Sequence, residues 1–273
     1  MNLLRSIKSI LFQEGVSSFI KRKRNKTFLD NRTLFTMNYE GRKVKIFLNK
    51  KFGYVDQYIF DQGIYEKDII RKIREHLSPE KTMLDIGGNI GQHSLLLAPY
   101  CKKIYAFEPI PAIYSEFKQS ISANRYENIE LHNTAISDEN SEKTIYFSSK
   151  NAGSSSFLSI LAENRTPIKV HTSKIADIIS NDVKVDVVKI DVEGFEAKVI
   201  LGNRDFFVKN RPIIFLEFCP SNIDTEGTFK AKDLVSFFIE NQYEIESQRL
   251  DKILSFKRPE EIYETDNWIC IPK

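Results

Sequence analysis

No apolar run in these 273 residues is long enough to cross a bilayer, and the N-terminus lacks the apolar core and small-residue cleavage site of a signal peptide. The expected compartment is the cytoplasm. Cysteine is equally scarce: Cys101, Cys219 and Cys270 are odd in number and widely spaced, which argues against both a disulfide framework and a zinc knuckle. They read as small buried hydrophobes. Charge of one sign is also missing, since 40 Lys and Arg against 37 Asp and Glu leave a formal +3, too balanced for nucleic acid to be the main partner. What remains is a chain of a length suited to one main domain with a substantial core.

Its organising stretch is Met83-Leu84-Asp85-Ile86-Gly87-Gly88-Asn89-Ile90-Gly91, an apolar run that ends in an acid and glycines. That is how a buried strand turns sharply into a helix, with Gly87 and Gly91 expected to let the backbone curl close to a ligand. The helix begins near His93, and its first amides are unpaired toward the same cavity. A second strand, Ile104 to Phe107, ends in Glu108, roughly twenty residues past the turn, where a dinucleotide fingerprint places a carboxylate for ribose hydroxyls. Asn89 stands where the middle glycine would be and tolerates left-handed geometry. Asp85 is a poor neighbour for pyrophosphate and a good one for a cation, which favours S-adenosylmethionine over NAD.

Before the turn, residues 1–30 read as a basic amphipathic arm: Leu3, Leu4, Ile7, Ile10 and Leu11 recur at helical spacing, and Lys21-Arg22-Lys23-Arg24 follow. Residues 1–26 are therefore either a reversible contact with the inner face of an anionic membrane or a helix packed on the domain. Residues 31–60 hold two strand-like runs, Thr33 to Tyr39 and Arg42 to Leu48, joined at Glu40-Gly41 as a hairpin. They form an antiparallel cap. Residues 61–273 carry the main domain, entered through Tyr65 and Glu66 just ahead of a helix from Lys67 to Leu77.

From the turn onward strands and helices alternate, which predicts an α/β fold: a doubly wound, Rossmann-like sheet, mainly parallel with an antiparallel closing strand. Thr144 to Phe147 and Ile168 to Thr172 flank a small-residue loop, Asn151 to Ser156, and read as an inserted hairpin, followed by a short helix from Ile175 to Ile179. The strand Val185 to Ile190 runs into Asp191, Glu193 and Glu196 around Gly194, and the strand from Pro212 to Phe218 carries Glu217 near its end. Ligands in open α/β sheets bind at the carboxyl ends of strands, so these acids are expected in the crevice with Asp85 and Glu108, with Glu196 alternatively read as favouring a helix N-terminus.

DIGGNIGQHS, YAFEPIP, VVKIDVEGFE and PIIFLEF, in that order and spacing, resemble the FkbM family of methyltransferases from about Gly63 to Glu217. The resemblance implies that Gly87, Gly88, Asn89 and Gly91 line the methionine and sugar part of S-adenosylmethionine, that Glu108 holds the ribose, and that Asn133 and Ala135 flank the adenine. It also implies O-methyl transfer to a sugar, glycan or small-molecule hydroxyl.

Such transfer needs alignment of the acceptor with an already activated methyl, plus a base or a metal to activate the hydroxyl. Asp191 leads as catalytic group, Glu193 follows, and a divalent ion such as Mg²⁺, if one binds, goes to Asp191. Tyr65, Glu66 and Glu217 are expected on the acceptor side. His93 has a helix-opening, cofactor-facing or packing role, and Lys189 lies behind its strand or pairs with an acid. Two rivals stand beside this reading: a noncatalytic cofactor-binding module, and an NAD-dependent oxidoreductase on the same sheet.

Overall fold

A computed structural model describes residue 29, residues 31–254 and residues 263–273. The expected basic arm therefore lies outside the described residues apart from Leu29. Among the described residues no helix is long and apolar enough to cross a membrane.

The strands run in chain order as β1 (Thr33–Tyr39), β2 (Arg42–Leu48), β3 (Thr82–Ile86), β4 (Lys103–Phe107), β5 (Ile129–His132), β6 (Ala135–Ile136), β7 (Ser141–Phe147), β8 (Thr166–Ser173), β9 (Val187–Ile190), β10 (Ile213–Phe218), β11 (Tyr243–Ser247), β12 (Lys252–Ile253) and β13 (Asp266–Pro272). The central sheet has the order β12-β11-β13-β10-β9-β3-β4-β5. Its five strands from β10 to β5 are parallel, and β13 runs antiparallel between β10 and β11. This is the α/β doubly wound architecture with an antiparallel closing strand that alternation predicts.

Both faces of the sheet are covered, which is why its strands are nearly continuous apolar runs. Met83, Ile104, Ala106, Val187 and Phe215 pack on one face against Leu95, Leu96, Ile113 and Phe117, while Leu84, Ile86, Phe107, Val188 and Leu216 pack on the other against Val199, Phe207, Leu234 and Phe238. The register then builds the site. Ile86 pairs with Ile190 and Ile190 with Leu216, so the next residues along each strand, Gly87, Asp191 and Glu217, lie side by side at the carboxyl edge. The chain turns in opposite directions from β3 and β9, and the crevice opens at this switch point.

The hairpin β1-β2 packs on the helix Pro111–Asn124, where Ser120 Oγ accepts the Phe47 amide at 2.9 Å. Strands β7 and β8 pair antiparallel and gain β6 as a third strand, so the inserted hairpin is present. Its loop reaches across the crevice: the Tyr54 amide donates to the Lys150 carbonyl at 3.0 Å, and Gly53 bridges Asn151. A Cβ at Gly53, where φ is +80°, would overlap the Lys150 carbonyl oxygen.

Several elements differ from expectation. A helix over Tyr54–Gln62 was hidden because its start at Gly53 has no side-chain cap and its buried face, Val55, Asp56 and Ile59, includes a carboxylate that breaks the apolar spacing. Glu196–Leu201, Arg204–Asn210 and Pro220–Glu226 are also helices, too short to show a period. The short helix expected from Ile175 to Ile179 is a single 3₁₀ turn, Ile175–Asp177.

Candidate active site

The crevice at the ends of β3, β4, β9 and β10 holds two adjoining lobes that share Gly87, Asn89, Gly153, Asp191 and Glu193. One is chiefly apolar, about 620 Å³, walled by Phe107, Ile110, Ala135, Ile136, Phe157 and Phe195, with Glu108 the carboxylate that belongs to it alone. The other, about 590 Å³, is polar and brings together Tyr65, Glu66, His93, Lys189 and Glu217 beside the shared Asp191 and Glu193.

The glycine turn divides them, but its glycines serve the protein's own packing. At Gly87 φ is +83° and a Cβ would overlap the Asp191 carbonyl oxygen; at Gly91 φ is +87° and a Cβ would enter the Phe117 ring. The two glycines expected to approach a ligand are placed differently: Gly91 lines neither lobe, whereas Gly87, with Gly88, lines the crevice through its backbone. Asn89 takes the left-handed geometry, φ +50°, and its buried Oδ1 has no hydrogen-bond partner.

Glu108 closes the apolar lobe. Its Oε1 accepts from the Ile110 amide at 2.8 Å and its Oε2 from the Asn89 amide at 3.0 Å, so the carboxylate is pinned while keeping capacity for further donors. Burial pushes its pKa up to about 7, against the pull of those amides. Ala135 lies in the same wall. Asn133, expected beside it, is exposed and lines neither lobe; its Nδ2 donates to the carbonyls of Glu108 and Pro109, both at 2.9 Å, and so holds the loop that carries Glu108.

Asp85 also departs from expectation. It is wholly buried behind the turn, where Oδ2 accepts from Ser94 Oγ at 2.6 Å and Oδ1 is unpartnered, and it lines neither lobe. Burial raises its pKa, with the nearby Lys189 ammonium opposing. Lys189 sits in register with Asp85 and 3.1 Å from Asp191, so one buried ammonium serves two acids on neighbouring strands.

Burial is the largest influence on Asp191 and opposes its ionisation, but the Lys189 ammonium and the hydrogen bond from Glu217 together outweigh it and hold this carboxyl below its ordinary range. Glu217 answers in the opposite direction: repulsion from Asp191, then burial, raises its pKa strongly, and the protonated group donates a hydrogen bond to Asp191. Burial brings Glu193 to about 7. Oxygens of Asp191, Glu193 and Glu217 all lie within 4.8 Å of one another. Glu196, expected in this group, instead accepts from the Gly194 amide at 3.0 Å at the start of its helix and lines neither lobe.

Tyr65 and Glu66 roof the polar lobe, held by Gln92, whose Nε2 donates to the Tyr65 carbonyl at 2.8 Å and whose Oε1 accepts the Tyr65 amide at 2.7 Å. His93 Nε2 lies 3.6 Å from Glu66, and burial lowers the imidazole pKa to about 3, so the ring is neutral. Residues not foreseen at the site are Gln92, Asn151, Gly153, Ser155 and Phe157, most of them from the inserted loop. Its run of small residues was the signal available, since such residues allow close approach to a ligand.

The site suits a molecule with an apolar ring system at one end, hydroxyls in the middle and a polar, partly cationic end. Phe107, Ile136 and Phe157 meet the first, the Glu108 carboxylate the second, and the unpartnered Asn89 Oδ1 the third.

Residues 85–250 match the model of the Methyltransferase FkbM domain, more than half of the chain. Methyltransferase 1 of Beauveria bassiana is 25% identical over 171 residues, a match covering 52% of this chain and 66% of that protein. The hexuronic acid methyltransferase AglP of Haloferax volcanii is 29% identical over 147 residues, covering 50% of this chain and 56% of that protein. The chain thus covers less than two thirds of either relative. The crystal structure of methyltransferase FkbM from Methylobacillus flagellatus KT superposes with a TM-score of 0.45 at 15% identity, covering 81% of this chain and 47% of that one.

Proposed function

The chain belongs to the FkbM family of methyltransferases, and from that premise we propose that it transfers a methyl group from S-adenosylmethionine to a hydroxyl of a sugar or glycan. The observation that carries this reading is the carboxylate cluster of Asp191, Glu193 and Glu217, which meets the glycine turn inside one crevice. A sugar acceptor is favoured by the similarity to a hexuronic acid methyltransferase.

When bound, S-adenosylmethionine would supply a methyl already activated on a sulfonium, with the neutral thioether as leaving group. Ala135 and Ile136 would wall the adenine, Glu108 would accept from the ribose hydroxyls, and Gly87, Gly88 and Asn89 would hold the methionyl part through backbone and amide groups. Tyr65 and Glu66 cover the acceptor in the polar lobe. Asp191 and Glu193 orient its hydroxyl and take the proton lost as the new oxygen–carbon bond forms.

Incubation with radiolabelled S-adenosylmethionine and a panel of nucleotide sugars and oligosaccharides tests the reading. Label is expected in an acceptor's ether position. Cofactor binding without transfer to any acceptor returns the noncatalytic alternative, and absence of cofactor binding overturns the proposal.

A further inference from the structure

The geometry points to a site for a hard divalent cation of the Mg²⁺ or Mn²⁺ class, held by one oxygen each of Asp191, Glu193 and Glu217. This deepens the proposed function, because it assigns to a cation the activation of the acceptor in the polar lobe.

Three carboxylates with oxygens inside 4.8 Å of one another repel unless protons or a cation lie between them. They come from the ends of β9 and β10 and the loop between Asp191 and the helix Glu196–Leu201, so strand register forces their proximity. Against them and Glu66, the lobe's lining offers one ammonium, Lys189, already engaged with Asp191.

A second observation comes from outside the cluster. His93 is more than nine-tenths buried, lines the same lobe, and its Nε2 has no hydrogen-bond partner. Its Nε2 lies 3.6 Å from Glu66 and outside the set of three, so a neutral imidazole here suits a water coordinated to the cation. All-oxygen sites completed by water select hard cations, and one nitrogen nearby tilts the preference toward Mn²⁺. Each carboxylate contributes one oxygen and keeps another, so the second oxygen of Glu193 remains free to receive the proton. A cation here lowers the proton affinity of a coordinated hydroxyl, which lets a carboxylate act as base.

Mn²⁺ titration of the full chain, followed by electron paramagnetic resonance and calorimetry, tests the site without reference to turnover. Saturable binding at one site is expected, weakened at least about tenfold in Glu217→Gln and in Asp191→Asn and unchanged in the exposed control Glu142→Gln. Glu217→Gln keeps the side-chain shape, and a matched circular-dichroism melt verifies its fold. No saturable binding, or equal affinity in all variants, overturns the site. S-adenosylhomocysteine is titrated in parallel. If it abolishes Mn²⁺ binding, the carboxylates belong to the cofactor's amino group and the cation site is wrong. Mn²⁺ bound with no affinity for S-adenosylhomocysteine sustains the cation site and defeats the methyl-transfer reading instead.

Discussion

The two lobes share a wall yet handle charge in opposite ways. In the apolar lobe the carboxylate of Glu108 is pinned by two backbone amides and surrounded by hydrocarbon, so it is a fixed acceptor. In the polar lobe Asp191, Glu193, Glu217 and Glu66 line one space with a single ammonium, and burial with mutual repulsion raises the pKa of Glu66, Glu193 and Glu217. A satisfied carboxylate suits recognition, and a crowded set suits chemistry in which a proton or a cation must move.

The sharpest break in that contrast is expected from Asp191→Asn. Removing the one carboxyl that Lys189 holds ionised should lower turnover by about 10²- to 10⁴-fold while S-adenosylhomocysteine affinity stays near the wild-type value. Transfer kinetics and calorimetry on the same preparation check it, and comparable losses in both would erase the division between the lobes.

Gly91→Ala probes the wall itself. A side chain there combines positive φ with overlap on Phe117, so unfolding free energy should fall by about 2 to 4 kcal/mol. Because Gly91 lines neither lobe, the folded fraction should keep its cofactor affinity. Urea melts with and without S-adenosylhomocysteine separate the two effects.

Glu108→Ala should do the reverse. Losing a charged hydrogen bond of about 1.5 to 3 kcal/mol weakens cofactor binding at least roughly tenfold, with maximal turnover at saturating cofactor changed much less. Unchanged affinity by calorimetry would take Glu108 out of the cofactor seat.

The smallest effect lies on the buried face of the helix Tyr54–Gln62. Asp56 is fully buried, accepts the Asn49 amide at 2.7 Å and has an unpartnered Oδ2; burial brings its pKa to about 7. Its folded pKa is above its unfolded one, so its contribution is complete in acid and declines as pH rises toward 7. The decline is at most about 1.4 kcal/mol per pH unit. Asp56→Asn should flatten that part of the stability profile between about pH 4 and about pH 7, measured by urea unfolding.

How much could be read beforehand follows the same divide. Strands β3, β4, β9 and β10, the hairpins and the turn announced themselves because their patterns are local. Glu108 was legible through its distance from Gly87. The membership of the acid cluster was not, because Glu217 meets Asp191 through strand register, while Glu196, only five residues from Asp191, turns away to its own helix. Asp85 and Asn133 carry the residue types of a ligand wall, yet one lies behind it and the other props it from outside. No spacing rule distinguishes a side chain in a wall from one that supports it.

The contact of Gly53 and Tyr54 with Lys150 and Asn151 has a thermodynamic consequence. It joins two segments nearly a hundred residues apart over the crevice, and residues beside it, Val55, Asn151 and Gly153, form part of the polar lobe. The complete lobe exists only in the fraction of molecules with this clasp fastened. Measured affinity for any occupant is therefore the intrinsic affinity scaled by that fraction, and by linkage the occupant tightens the clasp by the same factor. Binding strength is thus partly set at a glycine that touches no ligand.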